Sequence, residues 1–270
     1  MSGRRRTERA IGIFDSGVGG LTVLKKIALR LPGEHLCYLG DTARVPYGTK
    51  SADTVVRYAR ACAAHLEARG IKLLVVACNT ASAYAMDALR AELAIPVIGV
   101  VEPGARAAVR RTRTRRVGVI GTAGTVGSGA YPRAIAALDP SVEVVSRACP
   151  LFVPLAEEGW TRGAVPETAA RTYLGDLAEK GLDTLVLGCT HYPLLRTAIA
   201  AGVGKGVRLV DSAQETAKAV EEALDGARLR RAGTGPGVRE YCVSDAPENF
   251  ARIGARFLGH PLGRVEWVDV

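Results

Sequence analysis

The sequence lacks several features that mark common classes of protein. It has no CxxC pair and only four histidines, which argues against a zinc cluster. Its longest apolar stretch, around residues 73–78, is far too short to span a bilayer. No apolar segment follows the basic N-terminus, as it would in a signal peptide. We therefore expect no metal centre, no membrane span and no secretory leader.

Cysteine is present but widely and irregularly spaced. Without a secretory segment, we expect a cytoplasmic protein whose thiols stay reduced. A free cysteine in such a protein is ordinarily a small buried hydrophobe, and that interpretation applies to each one unless a local pattern opposes it. The six are Cys37, Cys62, Cys78, Cys149, Cys189 and Cys242.

Lysine is also scarce. Seven of the 36 basic residues are lysines, so arginine carries most of the net charge of +9. The densest arginine run, residues 110–116, contains no aromatic residue that could stack on bases. We interpret this run as a solvated loop at a helix end, with an anion or nucleic-acid role as the alternative.

Short apolar runs alternate with longer stretches of helical pattern. Most of the runs are continuous, as in strands buried on both faces of a parallel sheet. The predicted strands are 11–14, 35–39, 73–77, 97–100, 117–120, 143–145, 184–187, 208–210 and 241–243. The predicted helices are 21–30, 51–69, 81–92, 104–110, 131–138, 165–180, 193–202, 212–224 and 247–258. This alternation predicts an α/β fold.

A weak internal repeat divides the chain. Residues 11–17 resemble residues 117–123, and residues 77–80 resemble residues 188–191. We therefore predict two similar parallel-sheet α/β lobes, related by a pseudo-twofold axis, with the active site in the cleft between them.

The lobe boundaries follow from the same pattern. Residues 11–100 plus 211–270 form the first predicted lobe, and residues 101–210 form the second. Residues 1–10 are predicted to be a flexible tail, and residues 100–104 a connector. The chain after Asp211 has one clear strand, so we expect it to pack on the first lobe.

Two cysteines lie where a buried strand enters a helix. Cys78 is followed by Asn79 and Thr80, and Cys189 is followed by Thr190 and His191. A thiol near a helix N-terminus is acidified by the helix dipole and by backbone N–H groups. The amide and hydroxyl groups that follow could hold a carboxylate. Because both cysteines lie at a strand end and precede polar residues, we do not interpret them as core thiols.

Two glycine-containing loops follow strands at residues 15–20 and 121–124. Neither has the GxGxxG spacing of a dinucleotide site, and Asp15 at the strand end would repel a phosphate. We interpret the loops as donors to a small anionic ligand, with Asp15 accepting from an ammonium group. A helix cap is the alternative role for Asp15.

Five segments of the sequence resemble those of a known family. The segments DSGVGG, GDTARVPYG, ACNTAS, CPLFVPLAEEG and GCTHYPLL, in this order, resemble those of the bacterial glutamate racemases. The resemblance covers nearly the full chain, and GCTHYPLL favours glutamate over aspartate racemases. It implies two α/β lobes, no cofactor, a small-molecule substrate and the supply of D-glutamate for peptidoglycan.

The resemblance also implies roles for individual residues. It makes Cys78 and Cys189 the catalytic pair, with Asp41 and Glu157 assisting, although the neighbouring Glu158 leaves that last assignment open by one residue. From their places in the motifs, we hypothesise that Asp15 and His191 tune or relay protons for the two cysteines. The implied substrate-binding residues are Asp15, Ser16, Pro46, Tyr47, Gly48, Asn79, Thr80, Thr122, Thr125, Thr190 and His191.

Racemisation needs proton transfer on both faces of one carbon. Two fixed thiols accomplish this when one accepts the α-proton and the other donates one. By resemblance, Cys78 deprotonates the D enantiomer and Cys189 the L enantiomer. A pyridoxal phosphate mechanism would need a site lysine, and the site motifs contain none.

Other functions remain open from the residues. The protein could racemise aspartate or another acidic amino acid. The glycine loops and the charge of +9 also allow a nucleotide- or nucleic-acid-binding α/β protein, and a catalytically inactive pair of lobes is a third alternative. We expect no membrane partner, no nucleic-acid partner and a homodimer.

Overall fold

The computed structural model describes residues 6–270, and its described part contains two parallel β-sheets. The strands are β1 (Ile11–Asp15), β2 (Leu36–Gly40), β3 (Leu73–Val76), β4 (Val97–Gly99), β5 (Arg116–Gly121), β6 (Glu143–Ala148), β7 (Thr184–Gly188), β8 (Arg208–Asp211), β9 (Arg239–Val243) and β10 (Val265–Trp267). The order is β10-β9-β2-β1-β3-β4 in one sheet and β6-β5-β7-β8 in the other.

Helices connect and cover these strands. They are α1 (Leu21–Arg30), α2 (Ala52–Ala68), α3 (Asn79–Tyr84), α4 (Met86–Glu92), α5 (Val101–Arg111), α6 (Ala123–Gly127), α7 (Ala130–Leu138), α8 (Phe152–Glu158), α9 (Ala164–Leu174), α10 (Arg196–Val203), α11 (Ser212–Gly226) and α12 (Pro247–Leu258). Short 3₁₀ turns occupy Tyr47–Thr49, Ala178–Lys180 and Tyr192–Leu195. No helix within residues 6–270 is both long and apolar enough to cross a membrane.

The predicted α/β fold with parallel sheets is confirmed, and the sequence repeat is visible in the strand pairing. The order β2-β1-β3-β4 of the first sheet corresponds to β6-β5-β7-β8 of the second. Gly12 pairs with Leu74 in the first sheet, and Gly118 pairs with Leu185 at the equivalent place in the second. The strands that precede Cys78 and Cys189 are therefore equivalent strands.

The continuous apolar runs form the interior. The central strands β1, β3 and β7 are buried along their whole length. Side chains on both faces of these strands pack against helices, which is why the runs do not alternate with polar residues. Each sheet thus holds its strand ends in a fixed place, and the functional loops extend from those ends.

Each predicted strand is confirmed with small shifts at its ends, but several predictions about the connections are wrong. Residues 100–104 do not form a connector, because α5 begins at Val101. The helix predicted at 81–92 is broken at Ala85 into α3 and α4. The C-terminal segment contributes β10 as a second strand, whose short, exposed run gives little apolar signal. Sequence reasoning also missed α6 and α8.

The arginine run at 110–116 does end a helix, and carboxylates organise it. Arg110 and Arg111 pair with buried Glu215 at 3.0 and 3.1 Å. Asp183 accepts hydrogen bonds from Thr112 Oγ1 and the backbone N–H of Thr114 at 2.7 and 3.1 Å. These bonds hold the pKa of Asp183 at about 2, although burial works against them. Fixed ion pairs therefore replace the solvated loop that was expected for part of the run.

The predicted N-terminal tail falls only partly within the described chain, since residues 1–5 lie outside it. Of the rest, Thr7 accepts a hydrogen bond through its backbone carbonyl from Lys72 Nζ at 2.5 Å. Glu8 lies 2.8 Å from Arg231 Nε. Lys72 itself is buried and pairs with Glu34 at 2.5 Å, so this lysine has a structural partner.

Candidate active site

Cys78 lies between β3 and α3, where it caps the helix. The backbone N–H of Ala81 donates to Cys78 Sγ at 3.5 Å, and Cys78 Sγ lies 3.7 Å from Ser16 Oγ. The side chain is only 6% exposed. Burial raises the pKa of Cys78 to about 12, and the charge of Asp15 adds to the rise. Cys78 is therefore a protonated thiol at neutral pH.

Cys189 directly follows β7 and has a different set of neighbours. Its Sγ lies 3.8 Å from His191 Nδ1, and His191 Nε2 lies 2.9 Å from Glu157 Oε1. Burial works to lower the pKa of His191, but the hydrogen bonds with Cys189 and Glu157 prevail and raise it to about 10. The imidazole is then protonated at neutral pH. The protonated imidazole therefore lies between the Cys189 sulfur and the Glu157 carboxylate.

The first glycine-rich loop joins these two centres. Asp15 accepts from the backbone N–H of Gly17 at 3.0 Å. Burial raises the pKa of Asp15, and the opposing charge of His191 limits the rise. A Cβ atom on Gly19 would lie 2.2 Å from Thr190 Oγ1 and 2.5 Å from the His191 ring, so only glycine permits this approach. Thr22 Oγ1 completes the contact by donating to the backbone carbonyl of Thr190 at 3.0 Å.

Asn79 offers an amide group with unused donors. Its Oδ1 accepts from Tyr131 OH at 2.8 Å, whereas its buried Nδ2 has no hydrogen-bond partner. A buried amide donor without a partner costs free energy that a ligand acceptor would recover. Because Tyr131 occupies the carbonyl side of the amide, the donor side is left for a ligand.

Three threonines link the Cys78 loop to the loop after β5. Thr80 Oγ1 lies 3.0 Å from Thr122 Oγ1 and 3.1 Å from Thr125 Oγ1. Thr122 lies in the short link between β5 and α6 and caps the helix, since its Oγ1 accepts from Thr125 N at 3.2 Å. A Cβ on Gly48 would lie 2.7 Å from the Cβ of Thr122, which fixes glycine at this contact. The hydroxyls thus form a compact polar cluster beside Asn79.

Asp41 is fully buried near the segment that carries Tyr47 and Gly48. Its carboxylate accepts hydrogen bonds from Tyr47 OH, from Arg44 Nε at 2.9 Å and from Ser244 Oγ at 2.9 Å. Pro46 precedes the 3₁₀ turn that carries Tyr47 and Gly48. Asp41 therefore anchors the segment that holds Tyr47, and its bonds within residues 6–270 do not include one to either thiol.

The structure brings most of the predicted site residues together around the two thiols. Glu157 reaches His191, whereas the adjacent Glu158 is exposed and lines a surface depression, which settles their relative positions. Sequence reasoning missed Tyr131 and Thr22. Neither lies in a recognisable motif, because each acts across the fold on a residue of the opposite half.

The arrangement offers two thiols and several hydrogen-bond donors to a small anion. Cys78 supplies a protonated thiol, and Cys189 supplies a sulfur beside the His191 imidazole. The hydroxyl and amide donors near Cys78 suit a carboxylate. Within the described residues, no group of three or more His, Cys, Asp or Glu side chains could hold a metal ion.

Comparisons with known proteins point in the same direction. Residues 11–220 match the family model described as Asp/Glu/Hydantoin racemase. The glutamate racemase of Geobacter metallireducens is 61% identical over 262 residues, which cover 97% of each chain.

Solved structures agree over nearly the whole chain. The crystal structure of glutamate racemase isoform RacE1 from Bacillus anthracis superposes with a TM-score of 0.94 at 39% identity, covering 98% of both chains. Glutamate racemase from Francisella tularensis in complex with D-glutamate gives a TM-score of 0.91 at 38% identity, covering 97% of this chain and 98% of that one.

Proposed function

Because the chain belongs to the Asp/Glu/hydantoin racemase family, and within it to the glutamate racemases, we propose that it interconverts L-glutamate and D-glutamate through Cys78 and Cys189. The observation that carries the two-thiol mechanism is the equivalence of the two cysteines. Each cysteine follows the equivalent strand of its own sheet, and polar residues come directly after each cysteine. The charge on Cys189 also raises the pKa of Cys78, as expected for two sulfurs that share one site.

The proton transfers balance within the site. With L-glutamate bound, the Cys189 thiolate takes the α-proton and becomes a thiol. The carbanion then takes a proton on its opposite face from the Cys78 thiol, which becomes a thiolate. D-glutamate leaves, and the next D-glutamate would react in the reverse direction through Cys78. Before another L-glutamate reacts, Cys189 must release its proton and Cys78 must regain one by exchange with water, so a full cycle consumes no net proton.

Hydrogen-bond donors lower the cost of the carbanion. The Asn79 amide and the hydroxyls of Thr80, Thr122 and Thr190 are available to the α-carboxylate, where negative charge develops. Positioned acid–base groups contribute about 10²–10⁴-fold to such a step. Donors aimed at the developing charge supply a further part of the acceleration. Asp15 suits the substrate ammonium group, and Asp41 supports the Tyr47 segment from below.

Hydrogen exchange into deuterated water tests the mechanism. We expect the α-proton signal of L-glutamate to disappear in proton NMR with enzyme and no added cofactor. The Cys78→Ala and Cys189→Ala variants should each lose racemisation, while Cys149→Ala, another buried cysteine, keeps it as the matched control. If the variant lacking both thiols still exchanges the α-proton, the two-cysteine mechanism is wrong.

The same assay distinguishes glutamate from its shorter homologue, aspartate, as the substrate. We expect racemisation of L-glutamate to exceed that of L-aspartate at equal concentration, as the family membership favours. If aspartate is racemised faster than glutamate, aspartate is the substrate and the proposal of glutamate is wrong.

Four further features accompany the proposed function. D-glutamate would serve peptidoglycan synthesis, and the six unpaired cysteines suit the reducing cytoplasm. We also retain the lobe division at residues 11–100 plus 211–270 and 101–210. A homodimer is supported by exposed Leu151, Trp160 and Val165 on the second lobe. Light scattering of the wild type and a Val165→Asp variant tests it, and a monomeric wild type contradicts it.

A further inference from the structure

Tyr38 lies beneath the glycine-rich loop at residues 15–20. It stands in the middle of β2 and is fully buried. Its hydroxyl donates to the backbone carbonyl of Gly17 at 2.8 Å. A Cβ atom on Gly20 would lie 2.9 Å from that hydroxyl and 2.5 Å from the Cβ of Asp15. The phenol therefore reaches the underside of the loop beside Asp15.

Gly17 is held through both of its backbone groups. Its N–H donates to Asp15 Oδ2 at 3.0 Å, and its carbonyl accepts from Tyr38. A Cβ atom on Gly40 would lie 2.7 Å from the same carbonyl oxygen, so the carbonyl lies directly against the end of β2. The hydrogen bond from Tyr38 therefore fixes the residue that in turn holds the Asp15 carboxylate.

The loop itself has little that would hold it in one conformation. Three of its six residues are glycines, which lose more conformational entropy on ordering than other residues do. Helix α1 begins directly after Gly20, a residue without a side chain to cap it. Contacts from outside the loop therefore have to fix its conformation, and Tyr38 supplies one to the first of these glycines.

The equivalent position in the second sheet holds a serine. Ile13 pairs with Tyr38 in the first sheet, and Val119 pairs with Ser146 at the corresponding place in the second. Ser146 Oγ is buried without a hydrogen-bond partner among the described residues, so it does not hold the loop after β5. Thr122 holds that loop instead, because it caps α6. The duplicated fold thus places a tyrosine under the first loop and a serine at the same place in the second.

The phenol keeps its proton in this environment. Burial raises the pKa of Tyr38 well above its ordinary value, and the charges of Asp15 and Cys78 add to the rise. The backbone N–H groups of Gly20 and Leu21 work to lower this pKa but do not prevail. Tyr38 is therefore a constant donor to the loop and does not titrate during racemisation.

We propose that Tyr38 is a positioning residue, whose hydroxyl holds the Gly17 carbonyl and thereby keeps the Asp15 carboxylate directed at the ammonium group of the substrate. The ammonium role of Asp15 belongs to the proposed function, on which this assignment rests. Without the hydroxyl, the buried carbonyl loses its donor. The loop then relaxes into conformations in which the carboxylate no longer meets the ammonium group.

Calorimetric titration of Tyr38→Phe with two ligands tests this role, since phenylalanine retains the ring that packs on Phe250. DL-glutamate carries the ammonium group and, as a racemic mixture, keeps its composition in the presence of active enzyme. Glutarate has the same two carboxylates and no ammonium group. We expect the variant to bind DL-glutamate about five- to tenfold more weakly, as for the loss of one buried hydrogen bond. Its binding of glutarate should be unchanged, whereas a general loss of structure would weaken both.

Tyr241→Phe is the matched control. Tyr241 is a buried tyrosine that pairs with Tyr38 from β9, one strand farther from the loop. This control should bind both ligands as the wild type does. If Tyr38→Phe fails to fold by circular dichroism, Gly40→Ala replaces it with the same expectation, because the added Cβ displaces the Gly17 carbonyl from the other side.

Asp15→Asn separates a failure of this role from a failure of the proposed function. The wild type should prefer DL-glutamate to glutarate, and Asp15→Asn should lose most of that preference. If Asp15→Asn keeps the preference, the ammonium role of Asp15 is wrong and the assignment of Tyr38 falls with it. If Asp15→Asn loses the preference while Tyr38→Phe weakens both ligands equally, or neither, the positioning role of Tyr38 alone is overturned.

Discussion

Cys78 and Cys189 occupy equivalent places in two similar sheets, but their surroundings differ. Burial and Asp15 keep Cys78 protonated, with its pKa raised to about 12. Cys189 instead lies beside a histidine that is linked to Glu157 and protonated at neutral pH. The duplicated fold therefore supplies equivalent positions, and the neighbours differ: Asp15 acts on Cys78, whereas His191 and Glu157 adjoin Cys189.

The two directions of racemisation are equally favourable, which limits how the difference between the thiols can appear in the kinetics. L- and D-glutamate have the same free energy in water, so kcat/KM must be equal in the two directions for any variant. The asymmetry of the site can therefore appear only in kcat and KM taken separately. That restriction makes the comparison between the thiols measurable.

Removal of the charged partner of each thiol should give the largest effect. His191→Asn should lower kcat/KM about 100-fold, at the lower end of the acid–base range. Because Cys189 loses its imidazolium, kcat should fall more from L- to D-glutamate than in the reverse direction. Circular dichroism measures both directions.

Asp15→Asn provides the opposite case. It removes the charge that adds to the raised pKa of Cys78, so this thiol should react faster with methyl methanethiosulfonate at fixed pH. If His191→Asn and Asp15→Asn changed the two kcat values by the same ratio, the different roles assigned to the two sides would be wrong.

A smaller effect should follow from the tyrosine that orients Asn79. Tyr131→Phe removes a hydroxyl that bonds Asn79 Oδ1 at 2.8 Å. Loss of one such bond corresponds to roughly a fivefold change. We expect KM to rise for both enantiomers, with little change in kcat, because the freed amide can rotate away from the substrate carboxylate.

Tyr192→Phe is the matched control on the Cys189 side. This equally buried tyrosine donates to the backbone carbonyl of Cys149 at 2.8 Å. Its loss should lower stability without a selective rise in KM. An equal rise in KM for both tyrosine variants would show that Tyr131 supports the fold and does not orient the amide.

The contrast between the thiols also explains what sequence reasoning could reach. The strands were predictable because continuous apolar runs occur in central parallel strands, and the two cysteines were predictable because each directly follows such a run. Thr190 and His191 were found for the same reason. Local patterns carry this information.

Contacts across the fold were not predictable. Tyr131 lies in an ordinary helical pattern, and only the packing of the second half against the first brings its hydroxyl to Asn79. Helices α6 and α8 are too short to display a clear period.

The smallest expected effect concerns stability and its dependence on pH. The pKa of His191 is raised from 6.5 to about 10 in the folded protein. When the pKa of a group is higher in the folded protein than in the unfolded chain, its protonation stabilises the fold fully at pH values below the unfolded pKa. This contribution declines above the unfolded pKa and is lost as the pH passes the folded pKa. Protonated His191 should therefore stabilise the wild type most below about pH 6.5 and no longer above about pH 10.

Urea unfolding of the wild type and of Glu157→Gln between pH 6 and pH 10.5 measures this contribution. Because Glu157 is partly exposed, we expect a difference on the order of 1 kcal/mol at the acidic end. The difference should shrink as the pH rises, since the imidazole loses the proton that Glu157 stabilises. If the difference in the free energy of unfolding stays constant with pH, Glu157 acts through packing. The ion pair of His191 with Glu157 would then not explain the properties of the Cys189 side.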